Sequence, residues 1–424
     1  VASTDFYVWA TNRARTQGAT QYYRITVPLT WLDKLGYTKC YEDRGAGGED
    51  DIAAQFTADI DLYYSVMGRP TLHQIRTIKE MKKGKIQDGS WHYPPTPIWD
   101  TDDNPDFTHP FNQAYGVLGV RHYPSGEFLE PGETLEWEAA DGTRRTLWAD
   151  GVTKSGDQVF DIARNIYELK VRQEIMREAV GVTVASPALA SYMRDVIGQR
   201  NVYVFPNTVV PSDYEEFPLQ PAEGVRVLWQ GGQSHWLDWY PLRNEIAQVF
   251  RENPTAKLVL YGEKFDWITD VIPPQQLEVH AWSPYEAYKI KRGLLRIDIN
   301  LCPLADNVFN RCKSAIKWYE GSIWSRPEAT LAANVAPYRE IVDGESGLLY
   351  STKEEFVQKL NLLIRDADLR KKLGHGAREW VLANRTPEKT IPGLFEFYQD
   401  CRARTKGGST ILRPTTAQAA RILR

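Results

Sequence analysis

Cysteine is scarce, and the few present do not cluster. Cys40, Cys302, Cys312 and Cys401 stand in 424 residues with no C-x-x-C pair and no histidine at a zinc-finger spacing. Neither a disulfide framework nor a structural zinc site is therefore expected. Long apolar runs are also missing: none approaches the roughly 20 residues that span a bilayer, and the first residues lack the order of a secretory leader. Nor does one sign of charge dominate. Lys and Arg number 51 against 55 Asp and Glu, a formal net charge of -4, which gives no global pull toward nucleic acid or anionic lipid. These absences lead to the expectation of a folded, cytoplasmic protein without a membrane span.

What is present is an α/β pattern. Hydrophobic residues make up 42% and charged residues 25% of the chain, as in ordinary globular proteins, and the length suits two or three domains. From Val225 onward short β-rich runs alternate with helix-length segments: Val225–Gln230, Lys257–Gly262, Leu277–Trp282, Ile297–Leu304, Glu328–Ala333 and Gly347–Tyr350. Strands interleaved with helices imply βαβ crossovers and a parallel sheet. Thr352 with Glu355 reads as a capping box opening a helix over Lys353–Arg365.

The N-terminal half opens with a strand at Asp5–Ala10, a loop carrying Gly18 and a helix over Tyr22–Leu35. A long helix near Val159–Val180 precedes strands at Val182–Ser186 and Val202–Asn207. The expected division is a first Rossmann-like domain over 1–208, with an irregular Pro-, Trp- and Asp-rich insertion around 89–150. A linker over 209–224 leads to a second Rossmann-like domain over 225–385, and 386–424 form an extension ending in a basic tail.

Two such domains face each other across a cleft, and ligands bind outside the carboxyl ends of the strands. The turn Gly231-Gly232-Gln233-Ser234-His235 follows a strand and precedes a helix. It reads either as a place where backbone N–H groups approach a phosphate or as a tight connection. The segment Asp306–Glu320 carries Asn310, Arg311, Lys313, Ser314, Lys317 and Glu320. If Ser314 caps a helix, the cations flank its positive end and form a diphosphate cradle, with Glu320 able to accept hydrogen bonds from ribose. The plainer alternative is a solvent-facing basic helix start. In the cluster Asp100-Thr101-Asp102-Asp103 after Pro97-Ile98-Trp99, Asp100 and Asp102 read as sugar-side or acceptor-side carboxylates, or as part of an acidic turn. His92, His109 and His122 are polar cleft candidates, with His92 the preferred catalytic group. Gly45-Ala-Gly-Gly48 lacks the dinucleotide spacing, which counts against an NAD-type oxidoreductase.

The stretch FNRCKSAIKWYEGSIWSRPEATLAANVAPYREIVDGESGLLY resembles the C-terminal signature of the GT-B-fold, family-four (group 1) glycosyltransferases. VTVASPALASYMRDVIGQRNVYVFPNTV similarly resembles the end of their first domain, where a proline–asparagine pair leads into the linker. The resemblance covers about Gly181 to Val381. It implies two Rossmann-like domains, a nucleotide-diphosphate sugar as donor, no metal or other cofactor, and transfer with retention. Glu320 matches the second glutamate of the family's Glu-x7-Glu element and so implies a ribose contact. The first position falls on Cys312, a departure. Phe309, Asn310, Lys313, Ser314 and Lys317 match a Phe-Asn-x-x-Lys-Ser-x-x-Lys subset of phage and bacterial sequences in which the lysines bind diphosphate. Gly18 and Ala19 match a donor-side loop, and Trp282 and Ser283 occupy the place where the base is read. The acceptor is left open among glycan, protein and DNA, the last as in phage base glucosylation. The rival reading is a non-catalytic protein keeping the scaffold for sugar-nucleotide binding or assembly.

Overall fold

The computed structural model describes residues 7–12, 18–43, 62–66, 75, 79, 85–87, 90–92, 96–138, 142–153, 159–214, 218, 222–324 and 326–405. Strands β1 (Tyr7–Asn12), β2 (Lys39–Asp43) and β3 (Leu62–Val66) are followed by a small antiparallel pair, β4 (Lys85–Gln87) and β5 (Ser90–His92). After β6 (Thr96–Thr101) comes a second antiparallel pair, β7 (Thr134–Glu138) and β8 (Arg144–Ala149), and then β9 (Gly181–Val184) and β10 (Val202–Val204). The first main sheet runs β10-β9-β6-β3-β1-β2 with every pairing parallel.

The second sheet is built from β11 (Arg226–Gly231), β12 (Lys257–Gly262), β13 (Leu277–Ala281), β14 (Ile299–Cys302), β15 (Ala329–Ala333) and β16 (Leu348–Tyr350), in the order β13-β12-β11-β14-β15-β16. All its pairings are parallel as well. Strand order reverses between β1 and β3 in one sheet and between β11 and β14 in the other, and each reversal opens a crevice at the strands' carboxyl ends. Gly262 shows how tightly the second crevice floor is made. Its φ of +107° suits glycine, and a Cβ there would stand 2.4 Å from the Gly231 carbonyl oxygen.

The buried, β-branched and leucine-rich strands of the second sheet explain their legibility, since both faces are covered by helices. Thr352 caps the helix Lys353–Arg365 as expected, accepting from Glu355 N at 3.1 Å. Between β11 and β12 the chain makes short turns and then a helix over Arg243–Glu252.

Two corrections concern the first domain. Residues 96–101, expected within an irregular insertion, form the fully buried strand β6, hydrogen-bonded to β3 and β9. Pro97 is tolerated near the start of this strand, where its carbonyl still accepts from Val180 N at 3.0 Å. The excursion begins after Thr101 and ends where the helix Ile162–Glu178 starts. Secondly, Pro387–Thr405 is a 19-residue helix lying on the first domain, with Ile391, Leu394, Phe397 and Tyr398 packed among Val8, Leu29, Ile98 and Phe205. Residues 406–424, which carry most of the basic tail, lie outside the described residues. No helix among the described residues is long and apolar enough to cross a membrane.

Candidate functional site

A cavity of about 160 Å3 lies between the carboxyl ends of the two sheets. The first domain supplies Ala19, Thr20, Tyr23, Asp102, Asp103 and Asn207, and the second supplies His235, Lys313, Ser314 and Lys317 with Leu304, Ile316 and Tyr338. The lysines reach it because the loop after β14 leads through a short turn, Val308–Arg311, into a helix over Ile316–Ile323. That helix starts one residue later than a Ser314 cap would place it, with Ala315 in the cap position. Ser314 instead accepts from Asn207 Nδ2 at 2.9 Å, which joins the two domains at the cavity edge.

Lys317 is held from behind. Its Nζ lies 3.3 Å from His235 Nε2, and His235 Nδ1 lies 2.6 Å from Asp238 Oδ2. Asp238 Oδ1 accepts in turn from Ala305 N at 2.8 Å and from Asn310 Nδ2 at 2.7 Å. Burial, reinforced by Lys317, pushes the His235 imidazole down to about 4. The ring is therefore neutral, with its proton on Nδ1 facing Asp238 and Nε2 free to accept from the ammonium. Burial also pushes Lys317 down to about 8. Among the described residues no carboxylate stands within ion-pair distance of Lys317. Lys313 meets Asp103 at 3.4 Å across the cleft. Gly231 permits this packing, because a Cβ there would come within 2.9 Å of the His235 ring and 3.3 Å of Lys317 Nζ.

Asp102 faces the same space from the first domain and accepts from Thr20 Oγ1 at 2.8 Å. Burial and then the neighbouring Asp103 charge raise its carboxyl to about 6. His109 is buried close by, its ring edge-on to Phe309. Burial holds it down to about 4, with Lys313 acting in the same direction and Asp238 against it.

Ala19, Asp102, His235, Lys313, Ser314 and Lys317 of the expected site thus come together around one cavity, with Gly18 as the residue capping the helix that begins at Ala19. Gly232 borders open space, and Ser234 belongs to the turn beneath it. Several others do not converge. Asp100 is fully buried in a two-point ion pair with Arg24, at 3.0 and 2.6 Å, and also accepts from Thr183 at 2.6 Å. It ties strands to a helix and is sealed from the cavity. Arg311 is half-exposed and paired with Asp306 at 2.6 Å, its reach used on its own turn. Asn310 supports Asp238 rather than lining the cavity. Trp282 is 69% exposed, while Ser283 is buried against the Tyr261 hydroxyl at 2.8 Å. His92 lies at the end of β5 opposite Lys85; its side chain is outside the described residues. Cys312, at the departed acid position, is an interdomain packing residue among Trp99, Val184 and Leu189, and its carbonyl accepts from Ser186 Oγ at 2.7 Å.

Glu320 sits behind the cavity, 5% exposed, within hydrogen-bond reach of four tyrosine hydroxyls and Gln230. Thr20, Tyr23, Asp103 and Tyr338 were not anticipated as cavity residues. Asn207 was visible only as half of the proline–asparagine pair. Among the described residues no three His, Cys, Asp or Glu side chains gather as a metal-ligand set.

No family model matches the chain, and no curated protein matches it. Solved structures do. A sucrose-phosphate synthase from Thermosynechococcus elongatus superposes with a TM-score of 0.59 at 11% identity, over 94% of this chain and 100% of that one. HepE from Anabaena, solved with UDP and glucose, gives 0.58 at 11% identity over 93% and 100%. A glycosyltransferase from Rickettsia africae gives 0.57 at 10% identity over 94% and 99%. The chain has the GT-B fold, two Rossmann-like α/β domains facing each other across a cleft.

Proposed function

We propose that the protein is a glycosyltransferase that moves a sugar from a nucleotide-diphosphate donor to an acceptor held by the first domain, with retention at the anomeric carbon. The observation that carries this reading is Lys317: a half-buried ammonium at the crevice of the second sheet, supported by neutral His235 and turned toward a cavity. Such a group is placed to meet an anion. In the transfer, the bond from the anomeric carbon to the diphosphate oxygen breaks and negative charge grows on the leaving group. Lys313, Lys317 and the N–H groups at the start of the Ile316–Ile323 helix stabilise that charge without reorganising. Asp102, ionised above pH 6 or so, faces the same space and serves as the acceptor-side or sugar-side carboxylate. The names of the superposed proteins, a sucrose-phosphate synthase and a protein holding UDP and glucose, are consistent with this chemistry.

The test is a thermal-shift screen with UDP-, GDP-, ADP- and dTDP-sugars, followed by assay of nucleoside diphosphate release. Stabilisation by one donor family and its turnover are expected. The burial of Cys312 favours a second reading, a sugar-nucleotide binder without turnover, since the position of the first family acid is closed into the domain joint. Stabilisation without any release of nucleoside diphosphate would select that reading.

A further inference from the structure

Glu320 is held in a way that donor binding does not by itself explain. Its Oε1 accepts from the hydroxyl of Tyr23 at 2.5 Å, and the hydroxyls of Tyr285 and Tyr214, at 3.2 and 3.5 Å from it, also contact the Tyr23 hydroxyl at 2.6 and 2.9 Å. Its Oε2 accepts from Tyr288 and from Gln230, each at 3.0 Å. A carboxylate offers about four acceptor sites, and five polar groups crowd around these. Tyr285, Tyr288 and Gln230 belong to the second domain, and Tyr214 to the segment that joins the two. Among the described residues, Tyr23 alone reaches Glu320 from the first domain.

Tyr23 is also part of the cavity wall. Glu320, which the Tyr23 hydroxyl meets, is not among the lining residues, and the neighbouring Tyr22 stacks on Tyr285 at 4.2 Å. The two tyrosines open a single wide π-turn, Tyr22–Thr26, which brings both rings inward from consecutive positions. The cavity that remains, about 160 Å3, is well below the roughly 300 Å3 at which small-molecule sites begin.

We propose that Tyr23 is an internal competitor for the ribose site. Its hydroxyl occupies Glu320 in the closed protein, and a nucleoside diphosphate enters by displacing it, so donor binding is coupled to withdrawal of the first domain's Tyr22–Tyr23 turn. The proposal rests on the reading of Glu320 as a donor contact. Burial, and then the Glu320 charge, raise the Tyr23 phenol well above its usual range, so the hydroxyl keeps its proton and remains a donor.

Tyr23→Phe keeps the ring and removes the hydroxyl. Two measurements separate the possibilities: binding of UDP and GDP by calorimetry, and amide hydrogen exchange over residues 19–34 in the ligand-free protein. The control is Tyr288→Phe, which removes a Glu320 donor from within the second domain. Tyr23→Phe is expected to bind the nucleoside diphosphate about 10-fold more tightly, on the scale of one hydrogen bond to a charged group, and to exchange faster over 19–34. Tyr288→Phe should do neither. Weaker binding in Tyr23→Phe would make the tyrosine a support for Glu320 and overturn the competition. Unchanged exchange would overturn the closed-state contact itself. Faster exchange with no nucleoside diphosphate bound by either protein would remove the donor reading and the ribose with it, leaving Tyr23 as a domain latch.

Discussion

Lys317 donates toward His235, Nζ to Nε2 at 3.3 Å, across the crevice between β11 and the helix that follows β14. An ammonium carries three donors, so two remain for whatever enters the cavity. The imidazole cannot compete for an anion, being neutral and turned to Asp238 by its other nitrogen.

Lys317→Ala is expected to lower kcat by about 10²–10³, the range for removing one donor from a developing charge. Lys313→Ala should abolish transfer. Circular dichroism and the thermal midpoint should show both variants folded. Unchanged turnover in both would remove the cationic cradle from the mechanism.

Of the cavity-lining groups with displaced titrations, Asp102, raised to about 6, and Lys317, lowered to about 8, change charge near neutral pH. Asp102 gains its charge as pH rises through 6, and Lys317 loses its charge as pH rises through 8. The rate of transfer is therefore expected to follow a bell between these values. Lys317→Arg should extend the alkaline side, because guanidinium stays charged. A profile flat from pH 5 to 9 would contradict both assignments.

Acid should weaken the fold through two histidines. His109 and His235 are both lowered to about 4 in the folded protein from an ordinary 6.5. Unfolded chains take up these protons as pH falls through 6.5, whereas the folded protein resists until about 4. Stability is accordingly complete above 6.5 and declines toward 4, at up to about 1.4 kcal/mol per pH unit for each ring. Urea midpoints measured across this window should show the slope, and His109→Gln should make it shallower.

The Arg24–Asp100 pair is buried on both sides, each side chain 0% exposed. Removing one partner strands the other charge. Asp100→Asn or Arg24→Met is expected to cost about 3–5 kcal/mol in urea denaturation. The double variant Arg24→Met/Asp100→Leu should recover much of that loss. If Asp100→Asn retained full stability but lost turnover, Asp100 would return to the catalytic group.

The second sheet was legible because most of its strands are short apolar runs buried on both faces, the edge strand β13 excepted, and their observed limits differ from the expected ones by one or two residues. Lys313 and Lys317 drew notice by their place after a strand and by the resemblance of their surroundings, and the structure puts both on the cavity wall. Asp100 was not, since a buried carboxylate paired with an arginine 76 positions earlier leaves the same trace in sequence as one that faces substrate. Strand β6 was hidden by Pro97 and Trp99, residues that read as loop until their neighbours are known. Tyr23 was hidden by its company: in a run of apolar helix positions a tyrosine reads as core, and only the second domain reveals the carboxylate opposite its hydroxyl.

The chain passes between the two halves twice, and the two passages are stitched together. Val209 N donates to the Arg385 carbonyl at 2.9 Å, and the hydroxyls of Thr208 and Thr390 meet at 2.8 Å. Beyond them the last helix seals the face of the first sheet around Val8 and Ile98. The first domain is thus completed by a helix that follows the second in the chain. During synthesis that face waits uncovered until the second domain has been made.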